Sequence, residues 1–360
     1  MNTPSNKGHF VAEIQAANSK VQGIFLVEEK NILETKNGAP YAALVLSDKT
    51  GKVSARIWED GKSWFDLFEK GDFIFIKGEG AEFRGAVQVR ILEVARIDAD
   101  TVDIRDFMPY TAFSIDDMWK ELMRYKREIK DPELRSIIHA IFDDHTIGHL
   151  FRRAPAAKKM HHACIGGLLE HTLSVVRLAR FMLKNYPWLK RDLLIAGAIL
   201  HDIGKIEEFS FDRPPIEYTD KGRLLGHLVI GANIIERFSS LVHPKGGSNE
   251  TVRLLIHMVL SHHGQREFGS PVLPMTEEAL VLHLIDDLDA KLNFMQGLKD
   301  QGPTSQYKWT DYQALLGRYF FLPGMDQAAL PEDGPDESTM MEGVDPIQSS
   351  MLRAQKDLWK

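Results

Sequence analysis

The chain is poor in cysteine, in long apolar runs and in net charge, and each shortage excludes something. Cys164 is the only cysteine among 360 residues, so no intrachain disulfide can form, and a reducing compartment such as the cytoplasm is the expected setting. No apolar run approaches the roughly 18 residues that a membrane-spanning helix requires, so no membrane partner is expected. The first residues, MNTPSNKGHF, lack the charged-then-apolar pattern of a signal peptide. No internal repeat is visible. Net charge is −7, which at first sight disfavours a polyanionic partner. The segment from Met325 to Lys360 carries eight acidic and three basic residues, leaving the rest of the chain at about −2. Local basic patches can therefore still meet phosphate.

What is present is histidine, in one place. Of 14 histidines, 13 lie between His139 and His283. Within that span the apolar run Leu193 to Leu200 leads into His201 and Asp202, with Gly204 expected to stop the helix in a left-handed conformation and Lys205 placing a cation about one turn away. Burying an imidazole beside a carboxylate is costly unless something pairs with both. A divalent cation meets that need. Further candidates follow in order: His171 in GGLLEHTLSVV, His227 in GRLLGHLVIGANII, His262 and His263 before Gly264, then His283, Asp286, Asp287 and Asp289 in HLIDDLDAK. Taken singly, any one of these reads as an ordinary hydrogen-bonded histidine, as do His139, His145, His149, His243 and His257.

The rest of the chain divides by its pattern. Residues 1–14 read as a leader. Residues 15–97 alternate with period two: strands in VQGIFLVEEKNIL and on both sides of the turn from Asp48 to Gly51, a short helix over 63–72 ending at Gly71, then strands in DFIFIKGEGAEF and AVQVRILEVARI. Five strands with a helix between the third and fourth follow the order of an OB-fold barrel. On the third strand Val53, Ala55 and Ile57 are expected inside. That leaves Arg56 and Trp58 outside, where Trp58 either stacks a base and Arg56 meets phosphate, or Trp58 packs on the following helix. Residues 98–114 form a linker. From Ser114, a helix cap, to residue 322 the pattern is helical, with helices expected at 165–185, 190–203, 223–240, 248–263, 276–299 and 309–321 and no strand. Arg152, Arg153, Lys158 and Lys159, followed by His161 and His162, form a basic run that is either a solvated loop or a phosphate rail. Residues 323–360 are acidic and rich in Pro, Gly and Ser, which predicts disorder closed by a short helix.

LVLSDKTGKVSARIW (44–58), GDFIFIKGE (71–79) and RGAVQVRI (84–91) resemble the OB-fold nucleic-acid-binding family of the anticodon-binding type. The ordered His, His-Asp and distant Asp resemble the HD superfamily of metal-dependent phosphohydrolases. That resemblance implies His171, His201, Asp202 and Asp286 as the four core ligands, with Asp287 the competing choice for the last. It implies a second metal on His227, His262 and His263, and catalytic roles for Asp202, Lys205 and His227. The acidic residue that some two-metal members carry four residues before the first histidine is absent; Gly167 stands there. Residue type alone does not choose among Mn²⁺, Fe²⁺, Mg²⁺, Zn²⁺, Co²⁺ and Ni²⁺.

Together the two parts, with HHACIGGLLEHTLSV (161–175), LHDIGK (200–205) and GHLVIG (226–231), resemble the YhaM-type 3′→5′ exoribonucleases. The resemblance implies a multidomain chain, an all-β OB-fold barrel followed by an all-α HD bundle. It implies Mn²⁺-dependent trimming of single-stranded RNA, and of single-stranded DNA, to nucleoside monophosphates by a metal-activated water. Self-association is left open. Two other readings stand beside it: an HD phosphohydrolase acting on a cyclic nucleotide or dNTP, and a non-catalytic single-strand-binding regulator.

Overall fold

A computed structural model describes residues 7–15, 19–35, 37–58, 64–83, 85–158, 164–242, 250–301, 308–314 and 316–322. The expectations for residues 1–6, Lys159, His161, His162, His243 and the 323–360 tail lie outside these.

Five strands form the first half: β1 Lys20–Glu34, β2 Pro40–Asp48, β3 Gly51–Ile57, β4 Phe73–Phe83 and β5 Ala86–Ile97. They close into a barrel in the order β1-β2-β3-β5-β4, with β3 and β5 parallel and the other pairs antiparallel. Closure leaves no exposed sheet edge. The period-two pattern sets the faces: Val53, Ala55 and Ile57 are buried with Phe25, Leu44, Ile74 and Val89, while Arg56 and Trp58 lie outside. Between β3 and β4, helical geometry is confined among the described residues to Trp64 and Phe65, and Gly71 turns the chain at φ +91°.

Residues 7–14, expected as a leader, are part of the barrel. Gly8 bridges Gly23, Ile14 is buried in the barrel core, and the Lys7 ammonium meets the Asp48 carboxylate at 3.0 Å with both side chains buried. The linker is equally fixed. Two short 3-10 turns, Ala99–Thr101 and Ile104–Asp106, seat Phe107 edge-on against Phe73, in a cluster with Ile24, Leu26 and Ile97.

The second half contains the helices α1 Ile115–Glu128, α2 Pro132–Asp143, α3 His145–Arg153, α4 Gly167–Asn185, α5 Arg191–Leu200, α6 Lys205–Glu208, α7 Asp220–Val242, α8 Glu250–Ser261 and α9 Glu277–Gln301. Ser114, Asp131 and Asp144 cap α1, α2 and α3 through side-chain bonds to first-turn amides, and Pro132 begins α2. All eight residues of α5 from Leu193 to Leu200 are buried, so it is the central rod of the bundle. Among the described helices, none is long and apolar enough to cross a membrane.

Two expectations are corrected. Phe209–Ser210 (β6) and Glu217–Tyr218 (β7) pair as a small antiparallel hairpin where no strand was expected. The 309–321 segment is not a helix; its described residues double back through bridges Trp309–Phe321 and Gln313–Arg318, with the Trp309 and Phe321 rings 5.3 Å apart. Aromatic residues at this spacing satisfy a hairpin by cross-strand contact as readily as a helix by its buried stripe.

Candidate metal centre

Five helices bring their chemistry to one point. His171 sits on the buried face of α4. His201 follows the last residue of α5, and Asp202 lies in the turn to α6. His227 restarts α7 after a break at Gly226 (φ 70°, ψ 157°), a conformation open essentially to glycine alone. His262 and His263 follow α8, and Asp286 projects from α9. Gly204 is right-handed (φ −62°), so its expected left-handed stop is corrected. Its role is close approach: a Cβ there would stand 2.0 Å from the His227 carbonyl oxygen and 2.7 Å from the Gly231 nitrogen. Gly264 is left-handed (φ +77°), and a Cβ on it would enter the His283 ring, whose Nδ1 donates to the His262 carbonyl at 2.9 Å.

Every histidine of the cluster is held the same way round. Nδ1 of His171 faces Asp289 Oδ2 at 2.8 Å, and Nδ1 of His227 faces Glu208 Oε1 at 2.9 Å. Those of His201, His262 and His263 face the carbonyls of Ala198, Val259 and Phe268 at 3.0, 2.8 and 2.7 Å. Carbonyls and ionised carboxylates only accept, so each Nδ1 carries the proton and each Nε2 turns inward. The Nε2 atoms of His171 and His201 meet at 3.1 Å, as do those of His227 and His263. Such spacing requires a proton or a cation between them.

Asp202 joins the two pairs. Its Oδ2 lies 3.5 and 3.6 Å from the Nε2 atoms of His201 and His171. Its Oδ1 lies 3.4 and 3.5 Å from those of His227 and His262. That Oδ1 is buried and has no hydrogen-bond partner. An orphaned carboxylate oxygen inside a shell of inward nitrogens is unstable alone and suited to a cation. The donors form three overlapping triads, His171-His201-Asp202, His201-His262-Asp286 and His227-His262-His263, the ligand atoms of each lying within 4.8 Å of one another. The residues fit divalent metal in kind and in geometry.

The electrostatics differ from one end of the cluster to the other. Burial alone would lower the His171 pKa, but Asp286 at 3.0 Å and Asp289 outweigh it and push it up to about 10. Burial lowers His263 to about 3, reinforced by His262 and His227, and lowers His262 as well, with Asp202 opposing. Burial works to raise Asp202, but Lys205, whose Nζ stands 2.6 Å from Oδ2, and His201 hold it well below the carboxylate range. Lys205 itself is raised: Asp202 overcomes the burial that would lower it.

Of the competing aspartates, Asp286 points into the cluster and Asp287 points out, paired with Lys291 at 2.6 Å. Gly167 begins α4 and is buried. On the barrel, Trp58 stacks on Tyr41 at 4.6 Å, with Arg56 6.0 Å from the same ring, and is 45% exposed. Of the basic run's described residues, Arg152 is bound to Asp116, Arg153 lies against His149, and Lys158 meets Glu217 at 2.5 Å. Sequence reasoning missed Glu208 and gave Asp289 no role. Glu208 is buried, and its Oε1 also accepts the His227 backbone N–H at 3.0 Å, capping the restarted helix while orienting the ring. A signal existed for Asp289, three residues after Asp286 on the same helical face. None existed for Glu208, whose partner lies 19 residues away.

Comparison with known proteins places both halves. Residues 6–97 match the model of the OB-fold nucleic acid binding domain, and residues 168–291 that of the HD domain. The 3'-5' exoribonuclease YhaM of Shouchella clausii (strain KSM-K16) is 34% identical over 304 residues, 84% of this chain and 93% of the relative. The protein of the same name from Halalkalibacterium halodurans is 33% identical over 313 residues, 86% of this chain and 95% of the relative. That from Bacillus subtilis (strain 168) is 34% identical over 290 residues, 80% of this chain and 90% of the relative. An identity of about one third over nine tenths or more of these relatives shows the family, and the chain belongs to the YhaM 3'-5' exoribonucleases.

Proposed function

We propose that the chain hydrolyses single-stranded RNA from its 3′ end to nucleoside monophosphates, and single-stranded DNA by the same chemistry, using divalent metal held by the HD cluster. The observation that carries the reading is the orphaned Asp202 Oδ1, set among inward histidines from four helices in a chain of exoribonuclease kinship. His171, His201, Asp202 and Asp286 would hold one ion, and Asp202, His227, His262 and His263 a second, with Asp202 shared. Mn²⁺ is proposed on the resemblance to the YhaM type; the donors, imidazole mixed with carboxylate and no thiolate, fit it without choosing it over Fe²⁺ or Zn²⁺. Bound there, such an ion lowers the pKa of a water and polarises a phosphoryl oxygen.

The protein's own groups do the rest. Lys205 spends one of its three N–H donors on Asp202, leaving two to meet a non-bridging phosphate oxygen. Asp289 and Glu208 fix the His171 and His227 rings, so neither has to reorient when substrate arrives. His227 acts as a ligand rather than a proton donor, because its Nε2 is directed at His263 and Asp202. Tyr41, Trp58 and Arg56 offer a base-stacking surface with an adjacent cation on the barrel exterior. A single thiol and the absence, among the described residues, of a membrane-spanning helix accord with a cytoplasmic setting.

The test is digestion of 5′-labelled single-stranded RNA with Mn²⁺ or with EDTA. A Mn²⁺-dependent ladder shortening from the 3′ end is expected. An intact strand beside turnover of mononucleotides would replace this reading with a small-nucleotide phosphohydrolase.

A further inference from the structure

A cleft of about 760 Å³ separates barrel from bundle. The β2–β3 turn with Lys49 and Lys52 lines one wall together with Lys70, and Lys158 and residues 214–217 line the other. The hairpin that bears this second wall, β6–β7, runs directly out of α6, whose Lys205 and Glu208 touch the metal cluster. The Thr219 amide, just past β7, donates to the Glu208 carbonyl at 2.9 Å. The cleft and the metal centre thus share one short rigid piece of chain.

At this junction one carboxylate gathers cations from separate elements. Glu217 meets Lys158 at 2.5 Å and Arg223 of α7 at 3.9 Å. Its carboxyl is held below the usual range, first by the Lys158 hydrogen bond, with Lys70 from the barrel side and Arg223 contributing. Lys70 has no ion-pair partner among the described residues. At Glu217 itself three cations face one carboxylate, whereas the barrel wall of the cleft carries Glu28, Glu29 and Asp48 beside Lys49 and Lys52. Beside Glu217 stands Tyr218, 40% exposed, with Arg223 5.5 Å and Lys158 5.8 Å from its ring. An exposed ring flanked by cations, next to the cleft-lining Glu217 on a hairpin that continues from α6 of the metal cluster, has the chemistry of a nucleotide subsite.

We infer that this junction binds the single strand upstream of the bond being cut, with a base stacked on Tyr218 and a backbone phosphate held by Lys70, Lys158 and Arg223. Glu217 holds that place when no strand is bound and competes with the phosphate. The inference rests on the single-strand nuclease reading.

The measurement is fluorescence anisotropy of a short 5′-fluorescein oligouridylate closed by a 3′-phosphate, titrated with full-length protein in EDTA, beside Mn²⁺ digestion of the unblocked strand. Tyr218→Ala should weaken binding about tenfold, within the range for one stacked base. Lys70→Glu and Arg223→Glu should weaken it several-fold and flatten the salt dependence by about 0.7 in log–log slope for each phosphate pairing removed. Glu217→Gln should tighten binding several-fold, an opposite sign that misfolding cannot produce; unchanged melting temperatures check the others. If the wild-type protein degrades the strand while all four variants bind it like wild type, the subsite is overturned and the nuclease reading stands. If wild-type protein neither binds nor degrades the strand, both fall.

Discussion

Asp202 faces two ways, and its two oxygens answer to different neighbours. One is tied to Lys205 at 2.6 Å; the other is buried and unbonded. Asp202→Asn would keep the shape and remove the charge, leaving Lys205 buried without its partner. We expect RNA turnover to fall by at least about a thousandfold, as for loss of a group central to charge stabilisation, and bound metal, measured by mass spectrometry after dialysis, to fall with it. Wild-type metal content in this variant would show that Asp202 is not a shared ligand. The histidines carry a pH signature of their own. His171 is raised to about 10 by Asp286 and Asp289 against its burial, so at neutral pH the metal-free protein holds a proton there that a metal ion must displace. That proton stabilises the metal-free fold fully below about pH 6.5, the unfolded value, and progressively less as pH rises toward 10. His263, lowered to about 3 by burial, has the reverse sign: its contribution is present above about pH 6.5 and is lost as pH falls toward 3. Calorimetric titration with Mn²⁺ in buffers of different ionisation enthalpy should therefore register release of about one proton per first ion at pH 7.5. Asp289→Asn should reduce that release. Metal uptake without proton release would contradict the assignment of His171.

At the scale of elements, the site is made by helix ends and breaks. The interruption of α7 at Gly226 restarts the helix at His227, frees that residue's backbone N–H and offers it with the ring to Glu208. Gly226→Ala forces a side chain into a conformation that costs on the order of 1–3 kcal/mol. Local relaxation would swing His227 off the Glu208 carboxylate. The expected result is a lower melting temperature and loss of the second ion with the first retained, read as metal stoichiometry. Two retained ions would show that the break is only structural. The same elements mark what sequence could disclose. The order of histidines, the cap at Ser114 and the alternation in β3 are local patterns, and each is met in space. Gly204 and Glu208 are explained only by contacts with α7, which no local pattern encodes. The basic run is visible as charge, but the partners of Arg152 and Lys158, Asp116 and Glu217, are distant in sequence and no local pattern discloses them.

At the scale of the whole molecule, the linker packs on both halves: Phe107 lies against Phe73 and the Lys49 amide donates to the Asp106 carbonyl at 2.9 Å on the barrel side, and Tyr110 bridges Ile165, whose carbonyl accepts from the Thr111 amide at 3.0 Å, on the bundle side. A strand bound to the barrel therefore meets the metal centre at a fixed separation. The barrel can help only substrates long enough to span that separation, whereas the metal centre needs only the terminal phosphodiester. Trp58 reports on the difference. One side of its ring rests on Tyr41, and nearly half its surface is open for a further base to extend the stack. One stacked base contributes about 1–3 kcal/mol. Trp58→Ala should accordingly raise KM about five- to hundredfold on long single strands, leave kcat near its wild-type value, and leave dinucleotides unaffected, because substrates too short to reach the barrel draw no binding from it. Trp58→Phe should recover part of the loss, since it keeps a ring on Tyr41. The decisive comparison is KM against strand length for the two variants and wild type. Curves that separate only beyond a minimum length give the span between barrel and metal centre. Curves displaced equally at every length would mean that Trp58 acts through the fold, and the guiding surface would then have to be sought on another face of the barrel.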